Sequence, residues 1–316
     1  MNSTDHRSLF DTDFPIIMAP MFLISNATMV KSALDHGITG AIPALNYRTD
    51  AEFRAAIDEI RAYSSKPLGI NLIVNKSNLK YKKQLETCLE KKVDFIITSL
   101  GSPKECIERA KPLGIKVFCD VIDLKYALKV QEQGADAVIA VNAEAGGHAG
   151  NVPQKELVPM LKEKLSIPVI SAGGVSSSQD VKNALELGAT AVSVGSIFIA
   201  SEEAPVSQEY KQALVDYGAK DIVRTTKMSG SHLTVINTPY VQSIGTEASW
   251  LERLMHKNRR LKKYIKMFIA FRGMKAIEKS ANKATYKTVW VAGPSIEGVH
   301  SIDSVGTIAD RLTQDL

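Results

Sequence analysis

Short apolar runs recur along the first two thirds of the chain, separated by amphipathic segments. The runs are Pro15 to Ala19, Ile38 to Ile42, Leu68 to Val74, Val93 to Thr98, Val117 to Asp120, Ala137 to Val141, Pro168 to Ala172 and Ala191 to Gly195. Most are rich in Val and Ile and bounded by Gly, Pro, Ser, Asn or Asp, as expected of strands buried on both faces of a parallel sheet. Between them, Ala51 to Ser64, Tyr81 to Lys92, Pro103 to Leu113, Leu124 to Gln133, Pro153 to Leu165 and Ser178 to Leu187 carry apolar residues at helical spacing with charges on the other face. Eight strands alternating with helices predict an α/β fold of the (β/α)8 TIM-barrel type. Gly134-Ala135-Asp136-Ala137-Val138 and Gly188-Ala189-Thr190-Ala191-Val192 echo each other, each setting a helix-ending glycine just before a strand. A doubly wound open sheet would use the same turns.

The 316 residues exceed the roughly 250 of a plain barrel, so an appendage is expected. No run of about 18 uncharged apolar residues occurs, which predicts no transmembrane helix. Met1 to Asp13 is polar and acidic and reads as no secretory leader. Cys88, Cys106 and Cys119 are odd in number and lack metal-ligand spacing, which suits reduced thiols, a cytoplasmic protein and no metal site.

The net charge of +5 is uneven. Residues 256–287 hold eleven Lys or Arg against the single acid Glu278, a local +10 that leaves −5 for the remainder. Leu261, Tyr264, Ile265, Phe268, Ile269 and Phe271 interleave with the charges as in an amphipathic helix whose basic face is solvated. An anionic partner, such as an acyl carrier protein or a membrane surface, is the alternative use of that face. No nucleic-acid signature accompanies the charge.

Candidate chemistry falls at the C-terminal ends of the predicted strands, where barrels keep their sites. After the sixth strand comes Glu144-Ala145-Gly146-Gly147-His148-Ala149-Gly150. It joins backbone N–H groups open to close approach with an imidazole that exchanges protons near neutral pH. A tight loop with a capping histidine would look the same. After the seventh strand comes Ser171-Ala172-Gly173-Gly174-Val175-Ser176-Ser177-Ser178, and after the eighth Gly195-Ser196. This pair of loops is the usual phosphate site of a barrel. Ser177 or Ser178 could instead simply cap the following helix.

Together these segments resemble the nitronate monooxygenases, formerly 2-nitropropane dioxygenases, and the related flavin-dependent enoyl-acyl-carrier-protein reductases. The resemblance rests on Ile17-Met18-Ala19-Pro20-Met21, Gly69-Ile70-Asn71-Leu72, Glu144 to Gly150, Ala172-Gly173-Gly174-Val175, Gly195-Ser196-Ile197-Phe198 and, more loosely, Val289-Trp290-Val291-Ala292-Gly293-Pro294. It implies an FMN-binding barrel over residues 1–204, a smaller helical lid inserted after strand eight over 205–285, and a return segment, 286–316, that completes the barrel. It further implies that Ala19, Pro20, Met21 and Asn71 line the flavin ring and that Gly146 and Gly147 approach it. Gly173, Gly174, Val194, Gly195 and Ser196 would hold the phosphate, and His148 would be the catalytic residue.

The departures fall at Val141-Asn142, where the family often has Gln-Gly, at Ile197, where it commonly has Arg, and along the lid segment from Thr225 to Val241. One side-chain contact to the cofactor is therefore expected to be absent or transferred to Asn142. The function implied is oxidation of alkyl nitronates by dioxygen to a carbonyl compound and nitrite. An NAD(P)H-dependent enoyl-thioester or quinone reductase, with an acyl carrier protein docking on the basic segment, is the same-fold alternative, and a flavin-binding regulatory protein the non-enzymatic one. Of the other conspicuous residues, His36 is expected at a helix C-terminus. Trp250 and Trp290 are expected to pack, His6, His232, His256 and His300 to be exposed, and Asp120 to be a solvated or N-capping carboxylate.

Overall fold

A computed structural model describes residues 5–226, 232–247 and 289–316. The basic stretch 256–287 and Trp250 lie outside the described residues. Eight parallel strands close into a barrel in sequence order: β1 (Ile16–Met18), β2 (Thr39–Pro43), β3 (Leu68–Ile73), β4 (Phe95–Ser99), β5 (Lys116–Val121), β6 (Ala137–Val141), β7 (Val169–Ala172) and β8 (Ala191–Val194). Closure is direct, since β1 pairs with β8 in the register Ile17 opposite Ser193.

The helices between strands follow the predicted spans to within a few residues. They are α1 (Ala27–Asp35), α2 (Asp50–Tyr63), α3 (Tyr81–Glu90), α4 (Lys104–Ala110), α5 (Leu124–Glu132), α6 (Gln154–Lys164) and α7 (Ser178–Glu186). Their starts are fixed locally: Thr49 and Glu52 form a reciprocal capping box on α2, and Ser177 and Asp180 do the same on α7. After β8 the four-residue helix α8 (Ser196–Ile199) is too short to cover the barrel. The chain's last helix, Val305–Thr313, covers it instead by packing against α1 and α7. There His36, the C-cap of α1 as expected, meets Asp310 through Nδ1 at 2.7 Å.

Among its described residues, the inserted segment holds a strand pair that the expected helical lid did not include. Beside α9 (Gln208–Asp216) and α10 (Pro239–Ile244) it holds an antiparallel pair, β9 (Ile222–Thr225) and β10 (Leu233–Ile236). Four-residue strands carry too little periodicity to be separated from loop by sequence pattern.

Inward-facing residues pack the barrel as a solid core. Ile17, Ala41, Phe95, Ile97, Phe118, Ile139, Ile170 and Ala191 fill it, and Leu9 and Phe10 from the N-terminal segment plug its lower end. The Phe10 ring lies 6.1 Å from that of Phe95 and 6.4 Å from that of Phe118. Gly69 belongs to this packing, because a Cβ there would sit 2.1 Å from the Phe95 ring. The filled interior leaves the C-terminal ends of the strands as the place for a site.

Candidate active site

The last inward layer of the barrel is the floor of its mouth, and it is polar on one side. Side chains alternate along a strand, so Asn71 follows Gly69 on the inner face, Ser99 follows Ile97 and Asp120 follows Phe118. Asn71 Nδ2 donates to the Ile97 carbonyl (3.2 Å) and to Ser99 Oγ (2.8 Å), and Ser99 Oγ donates to Asp120 Oδ2 (2.5 Å). Burial pushes the Asp120 carboxyl up to about 6 against the opposing Ser99 hydrogen bond. Asp120 is therefore not the helix cap, since Asp123 caps α5; it is a partly buried carboxyl with one oxygen held by Ser99 rather than a freely solvated one. On the other side of the floor Val141 and Ala172 pack on the apolar interior.

The loop after β1 is braced from within. Ser25 Oγ accepts from Met21 N (2.8 Å) and donates to the Ala19 carbonyl (3.0 Å), which holds half-buried Ala19, Pro20 and Met21 at the rim. Ala19 N donates to the carbonyl of buried Val194 (2.8 Å), tying this loop to the end of β8.

Two glycine loops meet at the ends of β7 and β8. Gly173 and Gly174 have φ of 111° and 80°, conformations that a Cβ disfavours. A Cβ on Gly173 would also lie 2.3 Å from Asn142 Oδ1 and 2.4 Å from Ala145 N. Asp180 already satisfies the N–H groups and hydroxyls of Ser176 and Ser177, each at 2.8–3.0 Å. The predicted capping by Ser177 is thus present, and the α7 N-terminus is partly spent on its own carboxylate. Gly173, Gly174, Gly195 and Ser196 have N–H groups with no acceptor among the described residues. These four donors on adjacent strands make a cradle of the kind that holds a terminal phosphate.

The His148 loop is held from three directions. Asn142, fully buried, donates to the Gly173 carbonyl (3.0 Å) and accepts from Glu144 N (2.9 Å). Its side chain thus ties the loop after β6 to the loop after β7. Gly147 exchanges backbone hydrogen bonds with Thr234 of β10, at 2.7 and 3.3 Å, so the loop is an added strand on the inserted hairpin. Arg224 of β9 reaches Asn151 Oδ1 (2.7 Å) and the carbonyls of Ala143 (3.2 Å) and Gly150. The return segment closes the third side: Gly293 N donates to Ser196 Oγ (2.8 Å) and Ile236 N to the Trp290 carbonyl (2.9 Å). Trp290 packs as expected, stacked on Tyr210 at 5.6 Å.

His148 is an exposed residue of this loop, and desolvation lowers its imidazole below the ordinary histidine range, which favours the neutral form. His232 and His300 are exposed, as expected. Cys88, Cys106 and Cys119 are buried free thiols, and burial pushes Cys106 and Cys119 to about 12, far from reactive thiolates. Among the described residues no cluster of His, Cys, Asp or Glu could hold a metal, and no helix is long and apolar enough to cross a membrane. Arg224, Thr234, the contact of Gly293 with Ser196 and the hydrogen bond between Ser99 and Asp120 were invisible to sequence reasoning. They act through long-range contacts that no local motif signals.

Residues 75–315 match the family model described as nitronate monooxygenase. A carboxyl-CoA dehydrogenase of Rhodococcus jostii, (3aS,4S,5R,7aS)-5-hydroxy-7a-methyl-1-oxo-octahydro-1H-indene-4-carboxyl-CoA dehydrogenase, is 28% identical over 236 residues, 75% of this chain and 66% of that relative. The chain thus spans just under two thirds of that relative's length. A probable nitronate monooxygenase of Staphylococcus aureus is 26% identical over 287 residues, with 77% of this chain and 81% of that protein covered. Among solved structures, FabK from Thermotoga maritima superposes with a TM-score of 0.83 at 26% identity, covering 98% of this chain and 94% of that one.

Proposed function

The chain belongs to the nitronate monooxygenase family, and from that premise we propose that it is an FMN-dependent oxidoreductase that oxidises alkyl nitronates with dioxygen to a carbonyl compound and nitrite. The observation that carries the reading is the cradle of open N–H groups at Gly173, Gly174, Gly195 and Ser196 beside the braced His148 loop. A cradle of this size fits one terminal phosphate, and the chain has no Gly-x-Gly-x-x-Gly fingerprint after an early strand that would suit a dinucleotide. Bound there, FMN would supply the electron-accepting chemistry.

The chain's own residues supply the rest. Gly173, Gly174, Gly195 and Ser196 would hold the phosphate, with Val194 behind them, while Ala19, Pro20, Met21 and Asn71 would line the ring. Gly146 and Gly147 would approach the ring, and Asn142, which supports that loop from below, would also contact the cofactor. Neutral His148 can accept a proton at a ring nitrogen from a carbon acid, or orient the bound anion. The residues after β8 and before the return segment would form the lid that sets substrate choice.

A second reading, an NAD(P)H-dependent reductase of an enoyl thioester, draws support from the CoA-bearing name of the Rhodococcus relative. The test is to incubate the purified yellow protein in air with a secondary alkyl nitronate, and to identify the flavin released on denaturation. Nitrite, the matching ketone, oxygen uptake and FMN are the expected result. Release of FAD, or a colourless protein that FMN does not reconstitute, overturns it.

A further inference from the structure

The hydrogen-bond chain across β3, β4 and β5 has a fixed direction. Asn71 spends both protons of Nδ2, on the Ile97 carbonyl and Ser99 Oγ, and Ser99 spends its single proton on Asp120 Oδ2. Two acceptor atoms are left over, Asn71 Oδ1 and Asp120 Oδ1. Neither has a partner among the described residues, and neither is sealed from solvent. Both side chains lie on the inner face at the mouth, so these free atoms face whatever fills it.

Among the described residues Asp120 has no cationic partner there. Its inner-face neighbours are Ser99 and Asn71 on one side and Ile139 and Val141 of β6 on the other. On the outer face of β5 the Cys119 thiol stays protonated, held at about 12 by burial. His148, on the loop after β6, is the other titratable group at this mouth among the described residues, and desolvation favours its neutral form. Among the described residues, burial and the Ser99 hydrogen bond are what act on the Asp120 carboxyl.

We propose that Asp120 is a substrate-facing residue that takes up one proton when an oxyanion, the nitro-oxygen group of a nitronate, enters the mouth. This rests on the nitronate reading above. An ionised carboxylate and an arriving oxyanion in one desolvated site repel each other, and the pair relieves this by binding a proton, as paired carboxylates do. The proton comes from solvent and settles on Oδ1, because Oδ2 already accepts from Ser99; no other bond changes and no electrons move. Asp120, whose carboxyl burial pushes up to about 6, needs a bias of about a hundredfold or more to be mostly protonated at pH 7, which a neighbouring anion in a desolvated site supplies. Protonated, Oδ1 becomes a donor aimed at the anion it would otherwise repel.

The test uses the flavin-loaded protein and nitrate, a planar oxyanion that neither titrates nor is oxidised. Calorimetric titration at pH 7 in two buffers of different ionisation enthalpy gives the protons taken up per nitrate bound. Uptake approaching one proton is expected, with affinity falling about tenfold per pH unit between 7 and 8. Asp120→Asn, which keeps the Ser99 bond and a permanent donor, should bind nitrate with no uptake and no pH dependence, whereas His148→Asn should keep the uptake. The inference is overturned if the unmodified protein takes up no proton or binds no nitrate, or if uptake survives Asp120→Asn and disappears in His148→Asn. Flavin bleaching by a nitronate without linked uptake would defeat this inference and leave the nitronate reading standing. Uptake without bleaching would do the reverse.

Discussion

Gly146 and Gly293, far apart in sequence, meet backbone to backbone at the edge of the site. A Cβ on Gly146 would lie 2.9 Å from Gly293 N and 2.9 Å from Ser196 Oγ, and one on Gly293 would lie 2.7 Å from Gly146 N and 2.7 Å from the Glu144 carbonyl. The His148 loop, the end of β8 and the return segment therefore share a contact with no room for a side chain. Neither backbone can yield cheaply. Gly146→Ala and Gly293→Ala should each cost about 1–3 kcal/mol, the usual penalty of overpacking, and should lower flavin occupancy together with stability. Denaturant midpoints and the flavin-to-protein absorbance ratio measure both, and an unchanged midpoint for either variant would show that the contact is looser than described.

Arg224 joins the inserted hairpin to the His148 loop by three hydrogen bonds from one guanidinium. Hydrogen bonds from charged donors contribute about 1.5–3 kcal/mol each, so Arg224→Met should destabilise the loop by at least the lower figure. Lysine lacks the planar fork and should not restore it. Hydrogen exchange at Gly147 to Asn151 should quicken in both variants while the flavin stays bound. Exchange at the rate of the unmodified protein would remove Arg224 from this role.

The barrel was legible in the sequence because its strands are buried on both faces and read as continuous apolar runs, from Ile38–Ile42 to Ala191–Gly195. The glycine loops were legible because positive φ at Gly147, Gly173 and Gly174 demands that residue type. Asn142 was read as a cofactor contact, and its role as a brace depends on the Gly173 carbonyl, which only the closed barrel brings to it. Asp120 was read as solvated because one acidic residue at a strand end gives no sign of what lies above it. Burial by neighbouring strands, absent from any local window, decided its state.

In the proposed reaction His148 is the acid–base residue. General-base assistance is typically worth about 10²- to 10⁴-fold, so His148→Ala should lose that much turnover on a neutral nitroalkane and markedly less on the preformed nitronate. Crowding lowers the imidazole's pKa, so the unprotonated base persists below the ordinary histidine range. The rate on the nitroalkane should hold as pH falls through 6.5 and drop only at lower pH. Rate profiles from pH 5 to 8 test this, and equal losses on both substrates would assign His148 to positioning rather than proton transfer.

The claim that this chain oxidises nitronates through a flavin is tested most directly by anaerobic rapid mixing of the purified protein, loaded with FMN, with a nitronate, watching the flavin absorbance. Bleaching should proceed at least as fast as aerobic turnover, and faster than with NADH, NADPH or an enoyl thioester at the same concentration. A flavin that the nitronate leaves oxidised, while NADPH or NADH bleaches it, would contradict the nitronate reading and favour the reductase.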